Sequence, residues 1–361
     1  MKNRMLQTRA LMLMICGLSL LSFSCQSRES SAPDDRLRVI ATIFPVYDFA
    51  RQIGDNKIDL TMIPPPGMNA YAYELTPAEM DAICRADLFL FTSFEMEQWV
   101  FKAISAAEKS NTTAVETGSG ATLLPRPPFR EVFPEQIYEQ LEQQPLSRPA
   151  EELPDRDSAA SPVVPADPSC SDASKPAAPS PSAPAGHYDP HIWLDLKNAQ
   201  IMVDNIAEAF INKDPRNSDT YKRNARAYKR KLSRLDDAFT KQLAVCQSKV
   251  LRQSGHRTFA YLAQRYALKY HYAEGLSRPN LSQQETLNIL GLEESDKPAS
   301  LFCDQQLFEH KQHLLVKEMG VEVLSLDNGY DVEPAAIAAG ETFLSIMERN
   351  LLQLKKGLHC P

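Results

Sequence analysis

The chain carries the run Arg38-Val39-Ile40-Ala41-Thr42, then the pair Phe44-Pro45 and a helix-forming segment that extends through Gly54. A short apolar run bounded by turn residues predicts a buried β-strand. The same order recurs later, with apolar runs at 88–92 and 321–326 that each follow a helical segment. Strands that alternate with helices at this spacing indicate parallel α/β sheets.

A long amphipathic helix is predicted between two such sheets. Its apolar positions repeat every three or four residues, and its cations lie mainly off that face. We favour a solvated basic face over a site for anionic lipid or phosphate. The last helix is predicted over about 334–355. We expect a signal segment at 1–24, an N-terminal α/β lobe at 37–124 plus 187–215, an insertion at 125–186, the linking helix at 216–247 and a C-terminal α/β lobe at 248–361.

The composition changes sharply between residues 125 and 186. This segment holds 14 of the 26 prolines of the chain, and serine and alanine dominate its second half. Such a composition cannot bury enough apolar surface to form a core. We therefore interpret the segment as a disordered surface insertion.

The charge of the chain excludes one large class of partner. The 361 residues include 39 Lys and Arg against 46 Asp and Glu, which gives a formal net charge of −7. Five consecutive basic residues occur nowhere in the sequence. We therefore expect no nucleic-acid partner, because such a protein needs a concentrated basic surface.

The first 24 residues predict export. Three cations and no acid precede an uncharged stretch at 10–24, which is shorter than the roughly 20 residues that a membrane-spanning helix needs. The segment before Cys25 resembles a bacterial lipoprotein signal, although Ser22 and Phe23 replace its usual aliphatic and small residues. We expect a lipid anchor on Cys25 and a location in the periplasm or cell envelope. The alternative is ordinary signal cleavage nearby.

Three ligand-type side chains lie at or just beyond the predicted carboxyl ends of strands, where open α/β sheets bind their ligands. They are His191, His256 and Asp327. Each alone has an ordinary explanation, because a histidine before a helix is often a cap and an aspartate after a strand often forms a turn. Their significance comes from the motifs around them.

Four motifs carry a family resemblance: residues 39–48, Asp189-Pro190-His191-Ile192-Trp193-Leu194-Asp195, residues 255–262 and residues 323–327. Through them the chain, from Leu37 onward, resembles the zinc and manganese substrate-binding proteins of bacterial ABC importers. The resemblance implies two parallel-sheet α/β lobes joined by a rigid helix, a metal site in the cleft between them, and an ABC permease and ATPase as partners. Zinc members carry a His-rich insertion, whereas residues 125–186 contain no histidine.

The first ligand position departs from the family pattern. Tyr71 stands where the family has its first histidine, while the positions of His191, His256 and Asp327 are retained. Tyr71 could bind as a phenolate, water could fill the position, or His187 or Glu74 could take it. We favour the phenolate, because a nearby metal ion stabilises the ionised form of a group whose pKa is ordinarily about 10.

The donor set also bears on the metal. Imidazole at His256 suits Zn²⁺, and in the resembling proteins histidine at this position accompanies zinc while glutamate accompanies manganese. A phenolate from Tyr71 is a hard oxygen donor, which also admits Mn²⁺ or iron. We expect Zn²⁺, with Mn²⁺ or iron as alternatives.

Two other functions compete with metal capture. Three ligands and an open position would suit a metallohydrolase, but the chain has neither a His-Glu-x-x-His nor a Gly-x-Ser-x-Gly motif. A degenerate relative could instead act as an adhesin or interaction protein. We expect a monomeric binding protein with no catalytic residues.

Export favours disulfide formation among the cysteines that follow Cys25. These are Cys84, Cys170, Cys246, Cys303 and Cys360. Chains of the resembling family often tie their tail to the last domain. We therefore expect a bond between Cys303 and Cys360.

Overall fold

Two parallel β-sheets form the frame of the protein. The computed structural model describes residues 35–71, 73–126, 188–273, 276, 281–292, 299–304, 316 and 319–361. The strands are β1 (Leu37–Ala41), β2 (Ile58–Met62), β3 (Leu88–Phe91), β4 (Thr113–Glu116), β5 (Val250–Ser254), β6 (Lys269–Tyr272), β7 (Ala299–Asp304) and β8 (Val321–Leu326). The first sheet has the order β2–β1–β3–β4 and the second has β6–β5–β7–β8. The fold class predicted from the sequence, two parallel-sheet α/β lobes, is confirmed.

Helices connect and cover these strands. They are α1 (Phe44–Gly54), α2 (Pro77–Arg85), α3 (Val100–Ala107), α4 (Leu196–Lys213), α5 (Ser218–Ala244), α6 (Ala260–Arg265), α7 (Gln283–Leu290), α8 (Pro334–Ala338) and α9 (Phe343–Gly357). Helix α2 begins where its sequence predicts, since Thr76 Oγ1 accepts a hydrogen bond from the Glu79 N–H and the Glu79 carboxylate accepts one from the Thr76 N–H. This reciprocal cap satisfies two N–H groups that the first turn leaves without a helical partner.

A shared core joins the elements around α5. Leu232 and Phe239 of α5 are buried in one cluster with Val39 of β1, Leu262 of α6 and Leu354 of α9. One face of the helix therefore packs against elements that belong to both sheets.

The buried carboxylate of Asp48 ties three helices together. It accepts hydrogen bonds from Arg51 in α1 at 2.6 Å, from Tyr228 in α5 at 3.2 Å and from the backbone N–H of Phe343 at the start of α9 at 2.9 Å. A buried carboxylate needs such partners to offset its desolvation. The contact fixes the approach of α1 and α9 to α5.

The C-terminal helix is interrupted, whereas the sequence predicts one helix over about 334–355. Helix α8 ends at Ala338, Gly340 adopts a φ of 92°, and α9 starts after Thr342. Thr342 Oγ1 accepts a hydrogen bond from the Ser345 N–H at 3.1 Å, which caps α9. Glycine allows the left-handed turn, and the threonine cap then begins a new helix.

The predicted bond between Cys303 and Cys360 is wrong. Cys360 is bonded to Cys246, just beyond the end of α5. Backbone hydrogen bonds from Gln247 to His359 and from Ser248 to Leu358 bring the tail alongside that segment. Cys303 lies buried on β7, with its Sγ 3.8 Å from the Leu324 carbonyl oxygen. Cys84 is also disulfide-bonded, while the predicted insertion, apart from its first two residues, lies outside the described part of the chain.

Replacing Cys360 with serine should destabilise the protein. The bond closes a loop with a sequence separation of 114 residues, and loss of such a cross-link costs about 2–5 kcal/mol of unfolding free energy. Chemical denaturation with and without a reductant measures this loss. The reductant should lower the unfolding free energy more in the parent protein than in Cys360→Ser, which already lacks the bond. Cys303→Ala is the control that keeps the bond. Equal losses on reduction in the parent and in Cys360→Ser would contradict the pairing.

Candidate metal centre

The candidate ligands follow the carboxyl ends of parallel strands. Tyr71 lies in the loop between β2 and α2, His256 follows β5, and Asp327 follows β8. His191 precedes a short 3₁₀ helix, Ile192–Leu194, that leads into α4. Parallel strands direct their carboxyl ends to one edge of a sheet, which is where open α/β sheets bind ligands.

Tyr71 lies between the two histidines. Its Oη is 2.6 Å from His191 Nε2 and 3.4 Å from His256 Nε2. The two imidazole ring centroids are 5.4 Å apart. Three donor atoms therefore converge, two nitrogens and one phenolic oxygen, and His191 and His256 enter from different parts of the chain.

Asp189 sets the tautomer of His191. Its Oδ1 accepts hydrogen bonds from His191 Nδ1 at 2.7 Å and from the His191 backbone N–H at 3.0 Å. Burial by itself would raise the pKa of Asp189, but the adjacent His191 outweighs it and the pKa is lowered. The carboxylate therefore keeps the proton of His191 on Nδ1, so Nε2 presents a lone pair and accepts the hydrogen bond of Tyr71. Carboxylates orient metal-binding histidines in the same way.

His256 is poised to donate a lone pair at neutral pH. Burial, followed by the repulsion that His191 would exert if both rings were protonated, lowers its pKa to about 4. Its backbone oxygen accepts hydrogen bonds from Gln253 Nε2 at 2.5 Å and from Thr258 Oγ1 at 2.8 Å. Two donors thus hold the carbonyl oxygen of His256, and its ring is neutral, as metal binding requires.

Burial raises the pKa of Tyr71 well above its ordinary value, and the nearby Tyr330 adds to the shift. The phenol is therefore a neutral hydrogen-bond donor in this structure. Its loop is fixed by two contacts: Asn69 Oδ1 accepts from the Tyr71 N–H at 2.9 Å, and Trp99 donates to the Ala70 carbonyl at 2.8 Å.

Asp327 is held by its backbone and by two neighbours. The Asp327 N–H donates to Asn350 Oδ1 at 2.9 Å, and Asn350 Nδ2 donates to the Asp327 carbonyl oxygen at 2.7 Å. Asp327 Oδ1 accepts a hydrogen bond from the Gly329 N–H at 2.8 Å. Burial raises the pKa of Asp327, although the Gly329 N–H and Arg349, whose Nη2 lies 3.6 Å from Oδ2, oppose the shift.

The structure does not unite all the predicted ligands. Among the described residues, no three or more His, Cys, Asp and Glu side chains are close enough to hold a metal ion, so His191, His256 and Asp327 do not yet form a closed set. Glu74 is exposed, and among the described residues it makes no hydrogen bond to either histidine. His187 and Cys25 lie outside the described residues.

Two residues at the centre were missed by sequence reasoning. Asp189 orients His191, and its position two residues earlier in the quoted motif was an available signal. Tyr330 packs its ring 5.7 Å from that of Tyr71 and 6.4 Å from that of His191. Nothing in the local sequence marks Tyr330 apart from its place three residues after Asp327.

Two parallel-sheet lobes with ligand-type side chains at the carboxyl ends of their strands define a two-lobed solute-binding protein. Residues 39–357 match the family model described as zinc-uptake complex component A, periplasmic, or ZnuA. The chain belongs to this family.

Individual relatives agree with that assignment. The chain is 25% identical over 347 residues to the zinc-binding lipoprotein AdcA of Streptococcus pneumoniae, a match that covers 95% of this chain and 59% of AdcA. It is also 25% identical over 353 residues to the iron ABC transporter substrate-binding lipoprotein MtsA of Streptococcus pyogenes, covering 93% of each. The crystal structure of the Zn(II)-bound ZnuA-like domain of AdcA superposes with a TM-score of 0.67 at 23% identity, covering 90% of this chain and 99% of that domain.

A buried carboxyl group supports the loop that carries Tyr71. Glu97 accepts hydrogen bonds from Thr42 Oγ1 at 2.5 Å and from the N–H groups of Thr92 and Ser93, each at 3.2 Å. Burial raises its pKa from about 4.5 to about 7 despite these bonds. Glu97 lies two residues before Trp99, whose indole holds the Ala70 carbonyl.

No helix of the described segments is long and apolar enough to cross a membrane.

The contribution of Glu97 to stability should fall as the pH rises from 4.5 to 7. Between pH 4.5 and 7 folded Glu97 retains a proton that the unfolded chain has lost, so the stabilisation is complete below 4.5 and is lost above 7. The slope should approach about 1 kcal/mol per pH unit. Denaturant unfolding from pH 5 to 8 measures it. Because His256, whose pKa is lowered to about 4, contributes the opposite slope between pH 4 and 6.5, the test compares the slope of the parent protein with that of Glu97→Gln. Equal slopes in the two proteins would contradict the assignment.

Proposed function

We propose that this protein captures Zn²⁺ outside the cytoplasm and delivers it to the permease and ATPase of an ABC importer. The observation that carries the proposal is the convergence of His191 Nε2, His256 Nε2 and Tyr71 Oη in a chain of the zinc-uptake family. Relatives named for zinc binding and for iron ABC transport support the same role. The chain spans only 59% of AdcA, so the partners and the substrate are part of this proposal.

The proposed ligands are His191, His256, Asp327 and Tyr71. Asp189 already directs Nε2 of His191 toward Tyr71, and the low pKa of His256 leaves its ring neutral. An ion bound here would replace the proton that Tyr71 Oη shares with His191 Nε2, and the carboxylate of Asp327 is the proposed fourth donor. If Tyr71 does not bind, water, His187 or Glu74 takes the fourth position.

The donor set favours zinc over harder ions. Two imidazoles suit Zn²⁺, which is usually four-coordinate with nitrogen and oxygen or sulfur ligands. The phenolate and carboxylate oxygens also admit Mn²⁺ or iron. A metallohydrolase would have to turn over a bound substrate. An adhesin would act without tight metal binding.

Calorimetric titration of the chelator-stripped mature protein separates these functions. We expect one Zn²⁺ per chain, bound more tightly than Mn²⁺, and no hydrolysis of ester or phosphate substrates by the zinc-loaded protein. Failure to bind either ion would contradict metal capture and favour a degenerate interaction protein.

Substitution of Tyr71 tests the fourth ligand. Tyr71→Phe keeps the ring and removes the oxygen, so zinc affinity should fall by about 10-fold or more, while Tyr71→His should raise it by restoring a third imidazole. The matched control is Tyr330→Phe, which removes the hydroxyl of a ring whose centroid lies 5.7 Å from that of Tyr71 and should change affinity far less, because Tyr330 only adds to the pKa shift of Tyr71. Unchanged affinity in Tyr71→Phe would show that the phenol is not a ligand.

The membrane anchor is proposed to be a lipid on Cys25. Mass spectrometry of the protein from its native envelope should find Cys25 as the acylated N-terminal residue, and Cys25→Ser should abolish this modification. An unmodified Cys25, or a mature chain that begins elsewhere, would contradict the anchor.

A further inference from the structure

Helix α5 presents a basic face that the metal site does not use. Seven cations occur between residues 222 and 234, with no acidic residue from 220 to 235. They are Lys222, Arg223, Arg226, Lys229, Arg230, Lys231 and Arg234. The opposite face, which includes Tyr221, Tyr228 and Leu232, is buried in the shared core.

Six of the seven cations are exposed, and the seventh, Lys229, is half-buried and pairs with Asp204 of α4. None of those six has an ion pair with another described residue. At about 100° per residue, all but Lys231 fall within about 140° of the helix circumference, along about 18 Å of its length. The sequence favours a solvated face here, but the structure adds that six of these cations form one aligned surface, on which only Lys229 has an acidic partner among the described residues.

The charge of the protein is strongly segregated. The chain carries a formal charge of −7 and this segment contributes +7, so the remaining residues sum to −14. A molecule with such a distribution turns its basic side toward an anionic surface and keeps the rest away from it.

The shape of this surface favours a planar partner over a small anion. A groove between α4 and α5 has a volume of about 590 Å³, but its α4 side carries Asp204 and Glu208. A free phosphate in the groove would meet both carboxylates. A flat surface would instead meet the exposed side chains along α5, such as Arg226, Arg230 and Arg234.

We propose that the basic face of α5 docks the protein on anionic phospholipid. The proposal builds on the proposed tether, because a chain held at a membrane stays within reach of its headgroups. Each Lys or Arg near an anionic membrane surface contributes about a fivefold gain in affinity, and a basic surface combined with a lipid chain gives more stable attachment than one lipid chain alone. The helix would thereby lie along the membrane.

Vesicle binding by the full mature chain carrying Cys25→Ser tests this surface without the lipid. The zinc-loaded protein should co-sediment with phosphatidylcholine vesicles that contain phosphatidylglycerol, should not bind pure phosphatidylcholine, and should dissociate as salt rises. Arg226→Glu combined with Arg230→Glu and Arg234→Glu should weaken binding on the order of 100-fold. The control reverses three exposed cations elsewhere, Lys102→Glu, Lys109→Glu and Lys197→Glu, with the same change in net charge.

Zinc titration of both triple variants keeps this test separate from the proposed function. The expected result is unchanged zinc binding in both, with vesicle binding lost only in the α5 variant. Equal binding of the two variants, or equal binding to neutral and anionic vesicles, would overturn the proposal. A defect only in vesicles that also contain the importer would overturn it too, because the α5 face would then recognise the permease.

Discussion

The burial of one face of α5 is the constraint on which the rest of the structure depends. Each parallel sheet covers itself with its own helices, yet Leu232 and Phe239 of α5 share a core with β1 and with α6 and α9. At about 25 cal/mol for each Å² of apolar surface removed from water, such a shared layer is a large part of the stabilisation of the fold. The buried carboxylate of Asp48 then fixes the approach of α1 and α9 to α5, because donors from all three helices offset its desolvation.

The same constraint brings the candidate centre together. His191 and His256 lie on segments far apart in sequence, and they meet because α4 and α6 both pack near α5. A short chain of hydrogen bonds at this centre runs from Asp189 through His191 to Tyr71. Each member determines the next: the carboxylate fixes the tautomer, the tautomer directs a lone pair outward, and the lone pair receives the phenol. The order in this chain explains why Asp189 matters as much as the residues that would touch a metal ion.

Sequence patterns were sufficient for the parts of the fold that depend on local chemistry. Apolar runs marked β1 and β8, and Thr76 with Glu79 marked the start of α2, because caps and buried strands are encoded within a few residues. The disulfide was not predictable in this way, since Cys246 and Cys360 meet only after α9 has packed and turned the tail toward the end of α5. The break before α9 was missed because a single glycine and threonine outweighed an otherwise continuous helical pattern. At the candidate centre, the motif around His191 identified the histidine, but Tyr330 reaches Tyr71 only through the turn after β8.

Tyr71 changes what metal binding must overcome. A histidine at this position would offer a lone pair to an incoming ion. The buried phenol instead keeps its proton and donates a hydrogen bond to His191. Binding through Tyr71 therefore requires the loss of a proton and of a 2.6 Å hydrogen bond before a phenolate can form, and the ion must supply the free energy for both. A phenolate at this position would be a hard oxygen donor, which favours harder ions, while the two imidazoles favour zinc. If Tyr71 is a ligand as proposed, the affinity of the centre is a difference between two opposing contributions, and the proton on Tyr71 would couple it to pH more steeply than imidazole ligands alone would.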